Sequence, residues 1–103
     1  MSVLEIARIK CQTGAGDEFA ERLKAGLTVQ GEDPNCLETY VQRRVEDRDE
    51  FLVNLVWTSV EAHNAWREVG RERWRAHISD LLDGTPELLG HFEYVGHVKR
   101  PEA

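Results

Sequence analysis

The sequence predicts an α+β domain of the ferredoxin-like class, in which an antiparallel sheet with the element order βαββαβ carries its helices on one face. Three observations support this class. Four segments alternate apolar and polar residues with the period of a strand, two regions repeat apolar residues with the period of a helix, and their order along the chain is that of the ferredoxin-like fold. At 103 residues the chain fits one compact domain, so we treat residues 1–103 as a single domain.

The elements of the first half are separated by turn residues. Residues 3–11 predict a strand that is apolar on one face and mixed on the other. After a glycine-rich turn, Asp17 can cap a helix that runs to about Val29. Residues 36–45 and 50–57 alternate again around a short charged turn, so we expect these two strands to pair as an antiparallel hairpin.

The second half is predicted to begin with a helix directly after the third strand. Thr58 and Glu61 match a capping box, in which the hydroxyl and the carboxylate each accept a backbone N–H at the start of a helix. Gly70 is expected to interrupt this helix, and a second helical piece is predicted from about Arg71 to Leu82. The last strand is predicted over residues 91–98.

Composition and charge argue against several classes of function. The net charge of −6 and the absence of a clustered Lys/Arg tract argue against nucleic acid and anionic membranes as partners. There is no basic-then-apolar leader and no apolar run long enough to cross a bilayer, so we expect a cytoplasmic protein with no membrane partner. Cys11 and Cys36 are expected to be buried free thiols. No metal site is predicted, because no set of Cys, His, Asp and Glu has zinc-like spacing.

Residues 51–77 contain every tryptophan of the chain and two of its four histidines. Trp57 ends the third strand, and Trp66 and Trp74 follow at helix-compatible spacings. Such a concentration predicts either an unusually aromatic core or a pocket for a flat, apolar ligand. Both interpretations stay open at each position. We assign Trp57 to the candidate catalytic residues, and Trp66 and Trp74 to the candidate substrate-binding residues.

His77 and Glu5 are the candidate polar catalytic residues. His77 shares an apolar stripe with Trp74, where an imidazole could be a core histidine bonded to a carbonyl, a general base or a haem ligand. Glu5 lies on the same strand face as Ala7 and could abstract a proton if that face lines a cavity, since burial would raise its pKa. His63 is placed on a solvated flank of its helix.

Asn54, Tyr40 and Arg8 are further candidates for substrate binding. Asn54 lies within the apolar third strand on the face opposite Trp57, where its amide needs a hydrogen-bond partner, so a place in a dimer seam is an equal alternative. Tyr40 and Arg8 could orient a phenolate or a carboxylate, with surface pairing to acidic residues as the alternative.

The sheet face without helices is expected to need a cover. Val3, Ala7 and Ile9 of the first strand, or their partners across the sheet, would otherwise contact water. The simplest cover is a second copy packed sheet against sheet, so we expect a two-fold homodimer. A polar face left in contact with solvent is the alternative.

Four stretches carry a resemblance to a known family: Gly14–Phe19, Pro34–Leu37, Asp47–Phe51 and Trp57–His63. The last reads W-x-S-x-x-A-H and is the most specific. On these residues the chain resembles the antibiotic biosynthesis monooxygenase family of dimeric α+β barrel proteins, over Val3 to Val98. The resemblance indicates the fold more strongly than the activity.

The resemblance implies two chemistries. In one branch of the family, a cofactor-independent oxygenase oxidises a quinol-like or anthrone-like aromatic with O2, using an apolar cavity, a base and a hydrogen bond. In the other branch, haem is held by a helical histidine, which would be His77, with a strand tryptophan, which would be Trp57. Ala7 stands where that branch carries an asparagine. Our leading hypothesis is the cofactor-independent oxygenase, with His77 as its polar participant. The alternatives are a haem-binding or haem-degrading protein and a non-catalytic dimeric domain that binds a small molecule.

Overall fold

A computed structural model describes residues 2–102 of the chain. The elements, in order, are β1 (Val3–Lys10), α1 (Gly16–Gln30), β2 (Cys36–Arg43), β3 (Glu50–Trp57), α2 (Val60–Arg75), a short 3-10 helix (Ser79–Leu81) and β4 (Glu87–Phe92). The four strands form one antiparallel sheet in the order β2-β3-β1-β4. The α+β ferredoxin-like class is confirmed, as is the antiparallel pairing of β2 with β3. Among the described residues no helix is both long and apolar enough to cross a membrane.

One face of the sheet packs on the two helices and forms the core. On β3, Phe51 and Trp57 point to this side, because residues of equal parity share a strand face. Phe19 and Leu23 of α1 cover them, and all four side chains are almost fully buried. Ile78, just beyond α2, closes the same cluster. Glu5, Ala7, Ile9 and Cys11 of the first strand and its extension are buried on this side, which places a carboxylate next to the apolar core. The expectation that Ala7 and Ile9 need a second copy as cover is therefore wrong, because the helices of the same chain bury them.

The opposite side of the sheet, here called the open face, carries no helix. Its side chains include Ile6 of β1, Leu52 and Asn54 of β3, Tyr40 of β2 and Phe92 of β4. Leu52, Tyr40 and Phe92 are exposed. The open face is therefore partly apolar and uncovered in a single chain.

Two predictions about the start and the course of α2 are wrong. The N-cap of α2 is Ser59 rather than Thr58, because the Ser59 hydroxyl accepts the backbone N–H of Ala62 at 3.0 Å. The helix runs through Gly70 without interruption. A Cβ at Gly70 would lie 2.5 Å from the indole of Trp66, so glycine here makes room for a packed side chain and does not break the helix.

The end of α2 and the last strand are also displaced from the prediction. The helix stops at Arg75, and residues 76–82 contain only the short 3-10 turn, because the chain must bring Ile78 into the core. β4 begins at Glu87, four residues before the predicted start, and ends at Phe92. Residues 93–98, predicted as strand, are exposed and form no strand. Their alternating sequence therefore has no pairing partner within the described chain.

Candidate functional site

A cavity of about 80 Å³ lies between the sheet and the two helices. Ala7 on β1 and Val53 on β3 are direct cross-strand partners in its floor. Both side chains are small, and the small Ala7 leaves space that a larger residue would fill. The other lining residues from the sheet are Glu5, Ile9 and Leu55, and those from the helices are Leu27, Gln30, His63, Trp66, Arg67, Arg71, Trp74 and Arg75. Pro86 and Leu88 complete the rim.

Glu5 is the acidic residue of this cavity and is only 8 % exposed. Its Oε1 accepts a hydrogen bond from Trp57 Nε1 at 2.9 Å and lies 3.1 Å from His63 Nε2. Burial raises the pKa of the Glu5 carboxyl, while the Trp57 hydrogen bond and the charge of Arg67 act in the opposite direction. Within residues 2–102 no hydrogen bond reaches Oε2. The carboxyl group is thus held through one oxygen and keeps the other for a ligand.

His63 is buried against this carboxylate, with 2 % of its surface exposed. Its ring stacks on Trp57 with centroids 5.0 Å apart, and its Nδ1 lies 2.7 Å from Nε2 of His91. Burial, with smaller effects from His91 and Arg67, lowers the pKa of His63 to about 4. The imidazole is therefore neutral at neutral pH and orients Glu5 without adding a positive charge.

Strand register explains why these residues meet. Glu5 is the direct partner of His91 on β4 and of Leu55 on β3, so His91 and Glu5 share the helix-facing side of the sheet. His63 lies in the first turn of α2 and reaches down onto both. A neutral His63 donates from Nε2 to the Glu5 carboxylate and accepts at Nδ1 from Nε2 of His91. These two hydrogen bonds set the tautomers of His63 and His91 and connect the cavity to β4.

The placement of His63 corrects the expectation that it is solvated. It stands three residues before Trp66, and residues three apart lie on the same side of a helix. Because Trp66 is a core residue, this spacing alone indicates that His63 faces the core as well. His91 gives no such signal, because its partner is chosen by the register of β4 against β1.

The three tryptophans have different positions. Trp66 and Trp74 line the cavity. Trp57 does not line it, because its side chain is completely buried behind Glu5 and His63. Its indole N–H instead fixes the carboxylate, so Trp57 contacts the cavity only through Glu5.

His77 lies away from the cavity. It follows the end of α2, its backbone N–H donates to Trp74 O at 3.2 Å, and its half-buried side chain packs beside Gly26 of α1. A Cβ at Gly26 would lie 3.4 Å from Cβ of His77, so glycine allows the close approach. The apolar stripe that links His77 to Trp74 in the sequence ends with α2, and the turn redirects the imidazole.

Arg8, Tyr40 and Asn54 also lie away from the cavity, on the outward side of their strands. Arg8 pairs with Glu87 at 2.7 Å, and the Tyr40 hydroxyl donates to Glu38 at 2.8 Å. The Asn54 amide donates to Gln42 on the neighbouring strand. In one chain the sheet separates these three residues from Glu5, and Asn54 lies opposite Trp57 as strand alternation predicts.

The residues present do not fit haem at this cavity. His77 does not line it, and both ring nitrogens of His63 are occupied by Glu5 and His91. Ala7 provides no polar group. Among residues 2–102 no group of three or more His, Cys, Asp and Glu side chains is arranged to hold a metal ion. Cys11 and Cys36 are free thiols, the first buried and the second half-buried.

Comparison with known proteins assigns the family. The model of the antibiotic biosynthesis monooxygenase family matches residues 2–79. A search of curated proteins found no match.

Solved structures share the fold at low identity. A protein of Bordetella bronchiseptica named for the same family superposes with a TM-score of 0.83 at 20% identity, over 91% of this chain and 97% of that one. A protein of Nitrosomonas europaea, also named for this family, superposes with a TM-score of 0.77 at 13% identity, over 91% of this chain and 90% of that one. SnoaB of Streptomyces nogalater is described as a cofactor-independent oxygenase and was solved as a mutant. It superposes with a TM-score of 0.76 at 19% identity, over 96% of this chain and 98% of that one. With the family model matching most of its length, the chain belongs to the antibiotic biosynthesis monooxygenase family.

Proposed function

We propose that this protein is a cofactor-independent monooxygenase that oxidises a phenolic or anthrone-like aromatic with O2, and that Glu5 is its base. The observation that carries the proposal is the buried Glu5 carboxylate, which faces a cavity bounded by two indoles and has one oxygen free of hydrogen bonds within residues 2–102. The fold shared with SnoaB, a cofactor-independent oxygenase, is consistent with it.

Glu5 suits the removal of a weakly acidic proton. A carboxylate with a raised pKa is a stronger base than an ordinary surface carboxylate, and burial raises the pKa of Glu5. Trp57 and His63 hold Oε1 with two neutral donors, so they orient the group without neutralising it. In this proposal both are positioning residues, and Oε2 receives the proton.

The reaction needs no group beyond substrate and oxygen. Glu5 takes a proton from the substrate, and the resulting anion gives one electron to O2, which becomes superoxide. The substrate radical and superoxide combine in a C–O bond. Glu5 returns its proton to the outer peroxide oxygen and then removes the second proton from the same carbon while the O–O bond breaks, so that the CH2 of an anthrone becomes C=O. The departing hydroxide takes up that proton from Glu5. One oxygen atom remains in the product and the other leaves as water.

The substrate must enter from the rim. The cavity of about 80 Å³ is smaller than the ~150 Å³ that accommodates benzene in a protein core, so a polycyclic ligand has to open it. The rim residues Arg71 and Leu88 are exposed, whereas the floor is buried sheet. Opening therefore proceeds by movement of α2 side chains and β4, with Trp66 and Trp74 as the apolar walls.

We also propose that the protein acts as a homodimer that covers the open face. In support, Leu52, Tyr40 and Phe92 are exposed there, and a second copy related by a two-fold axis would bury them. In such a dimer Arg8, Tyr40 and Asn54 would lie at or near the seam.

The test is oxygen uptake with anthrones and quinols. The wild-type protein is expected to consume O2 with at least one of them, and Glu5→Gln should lower kcat by about 10²–10⁴, because the amide cannot accept the proton. Glu93→Gln is the matched control, since it removes the same charge at an exposed position outside the cavity. Equal rates in both variants would exclude Glu5 as the base. No uptake with any compound would favour the non-catalytic binding domain.

A further inference from the structure

Three arginines of α2 stand at the cavity. Arg67, Arg71 and Arg75 are spaced four residues apart, so they follow one another along one side of the helix, and all three contribute to the cavity lining. Arg71 is exposed, and the other two are half-buried. A single row of guanidinium groups thus borders a cavity whose inner end holds Glu5.

These arginines lack the anionic partners that most other arginines have. Within residues 2–102, no carboxylate oxygen lies within 4.0 Å of Arg67, Arg71 or Arg75, and none of the three donates a side-chain hydrogen bond. Five other arginines do form ion pairs: Arg8, Arg22, Arg43, Arg44 and Arg73. The chain has 19 acidic and 13 basic residues, so a shortage of carboxylates is not the reason.

The lack of an anionic partner is clearest at Arg75. Its Nε is buried and has no hydrogen-bond partner among the described residues. Burial, together with the charges of Arg71 and Arg67, lowers the pKa of its guanidinium, although the group stays protonated at neutral pH. A buried N–H donor without an acceptor, next to two further cations, is a poor arrangement for an empty site and a good one for binding an anion.

We propose that Arg67, Arg71 and Arg75 bind an anionic group of the ligand, a carboxylate or phenolate, so that the ligand of this cavity is an aromatic anion. The inference rests on the proposed function for the identity of the aromatic part. The ring lies between Trp66 and Trp74, its anionic group faces the arginines at the rim, and the group to be deprotonated faces Glu5. Guanidinium groups suit this role because they bind planar oxyanions through two parallel hydrogen bonds.

The test compares two ligands of the same shape. Binding of 2-naphthoate and of its neutral analogue 2-naphthamide is measured by isothermal titration calorimetry at low salt. We expect naphthoate to bind at least tenfold more tightly. Arg71→Gln should remove most of this preference, and because Arg71 is exposed, the substitution leaves the core unchanged. Arg73→Gln is the control: it lies on the same helix, pairs with Glu32 and does not line the cavity, so the preference should persist.

Each result decides the inference separately from the oxygenase proposal. Equal affinity for the two ligands, no binding of either, or an equal loss in both arginine variants overturns it. Naphthoate selectivity without oxygen uptake by any substrate leaves the anion site standing and removes the oxygenase. Oxidation of an anthrone that carries a carboxylate, with a KM that Arg71→Gln does not change, leaves the oxygenase standing and removes the anion site.

Discussion

The pH dependence of stability should depend on His63. Folding lowers the pKa of this imidazole from its ordinary 6.5 to about 4, chiefly through burial. The unfolded chain therefore takes up a proton below pH 6.5 that the folded protein takes up only near pH 4. For a group with a lowered pKa of this kind, stability is full above pH 6.5 and falls as the pH drops towards 4.

The magnitude follows from the two pKa values. Their separation corresponds to about 3 kcal/mol of unfolding free energy, of which about 2 kcal/mol is lost between pH 7 and pH 5. The groups that face His63 are Glu5, His91 and Arg67. Glu5 acts against this loss of stability. Its pKa is raised by folding, so the folded protein takes up this proton at a higher pH than the unfolded chain does. Since Glu5 is present in wild type and variant, the comparison between them isolates His63.

The assay is urea unfolding at pH 7 and pH 5, followed by tryptophan fluorescence. We expect wild type to lose about 2 kcal/mol more on acidification than His63→Gln, whatever the stability of the variant at pH 7. His97→Gln serves as control, because His97 is exposed and its removal should leave the wild-type slope unchanged. An identical pH dependence in wild type and His63→Gln would refute the assignment of a buried, neutral imidazole.

Three further predictions address packing, the carboxylate and assembly. Gly70→Ala should lower the free energy of unfolding by about 1–3 kcal/mol despite the better helix propensity of alanine, because its Cβ would overlap Trp66. Gly31→Ala is the control in the same urea unfolding assay and should be near neutral, because its Cβ would make only ordinary contacts. Trp57→Phe removes the N–H that lowers the pKa of Glu5, so the acid limb of the oxygen-uptake profile should move to higher pH; an unmoved limb would show that the bond is unimportant. Phe92→Asp on the open face should shift the protein to monomer in sedimentation, while Val69→Asp, exposed on α2, should not.

The candidate site was partly accessible to sequence reasoning. The period of β1 puts Glu5 on the same face as Ala7, and the structure buries both beside the cavity. Helix spacing likewise brings Trp66 to the cavity. His77 was misplaced because α2 stops at Arg75, and periodicity beyond a helix end carries no information about side-chain direction.

The arginine row at the cavity could not be recognised from the sequence. The four arginines of α2 fall at positions 67, 71, 73 and 75, and Arg73 points away to Glu32, so the segment has the pattern of a charged surface helix. Only the packing of α2 over the sheet shows which of them face a cavity and which have a partner.

The sequence by itself determined the order of strands and helices, the alternation of β1, β2 and β3 and the family, because periodicity, turn residues and the W-x-S-x-x-A-H stretch are local properties of the chain. The tertiary structure alone decided that Glu5, His63 and His91 meet, since they come from β1, α2 and β4 and are joined by strand register and helix packing. Their pKa values were likewise decided there, because burial is a property of the assembled core and cannot be read from any one segment.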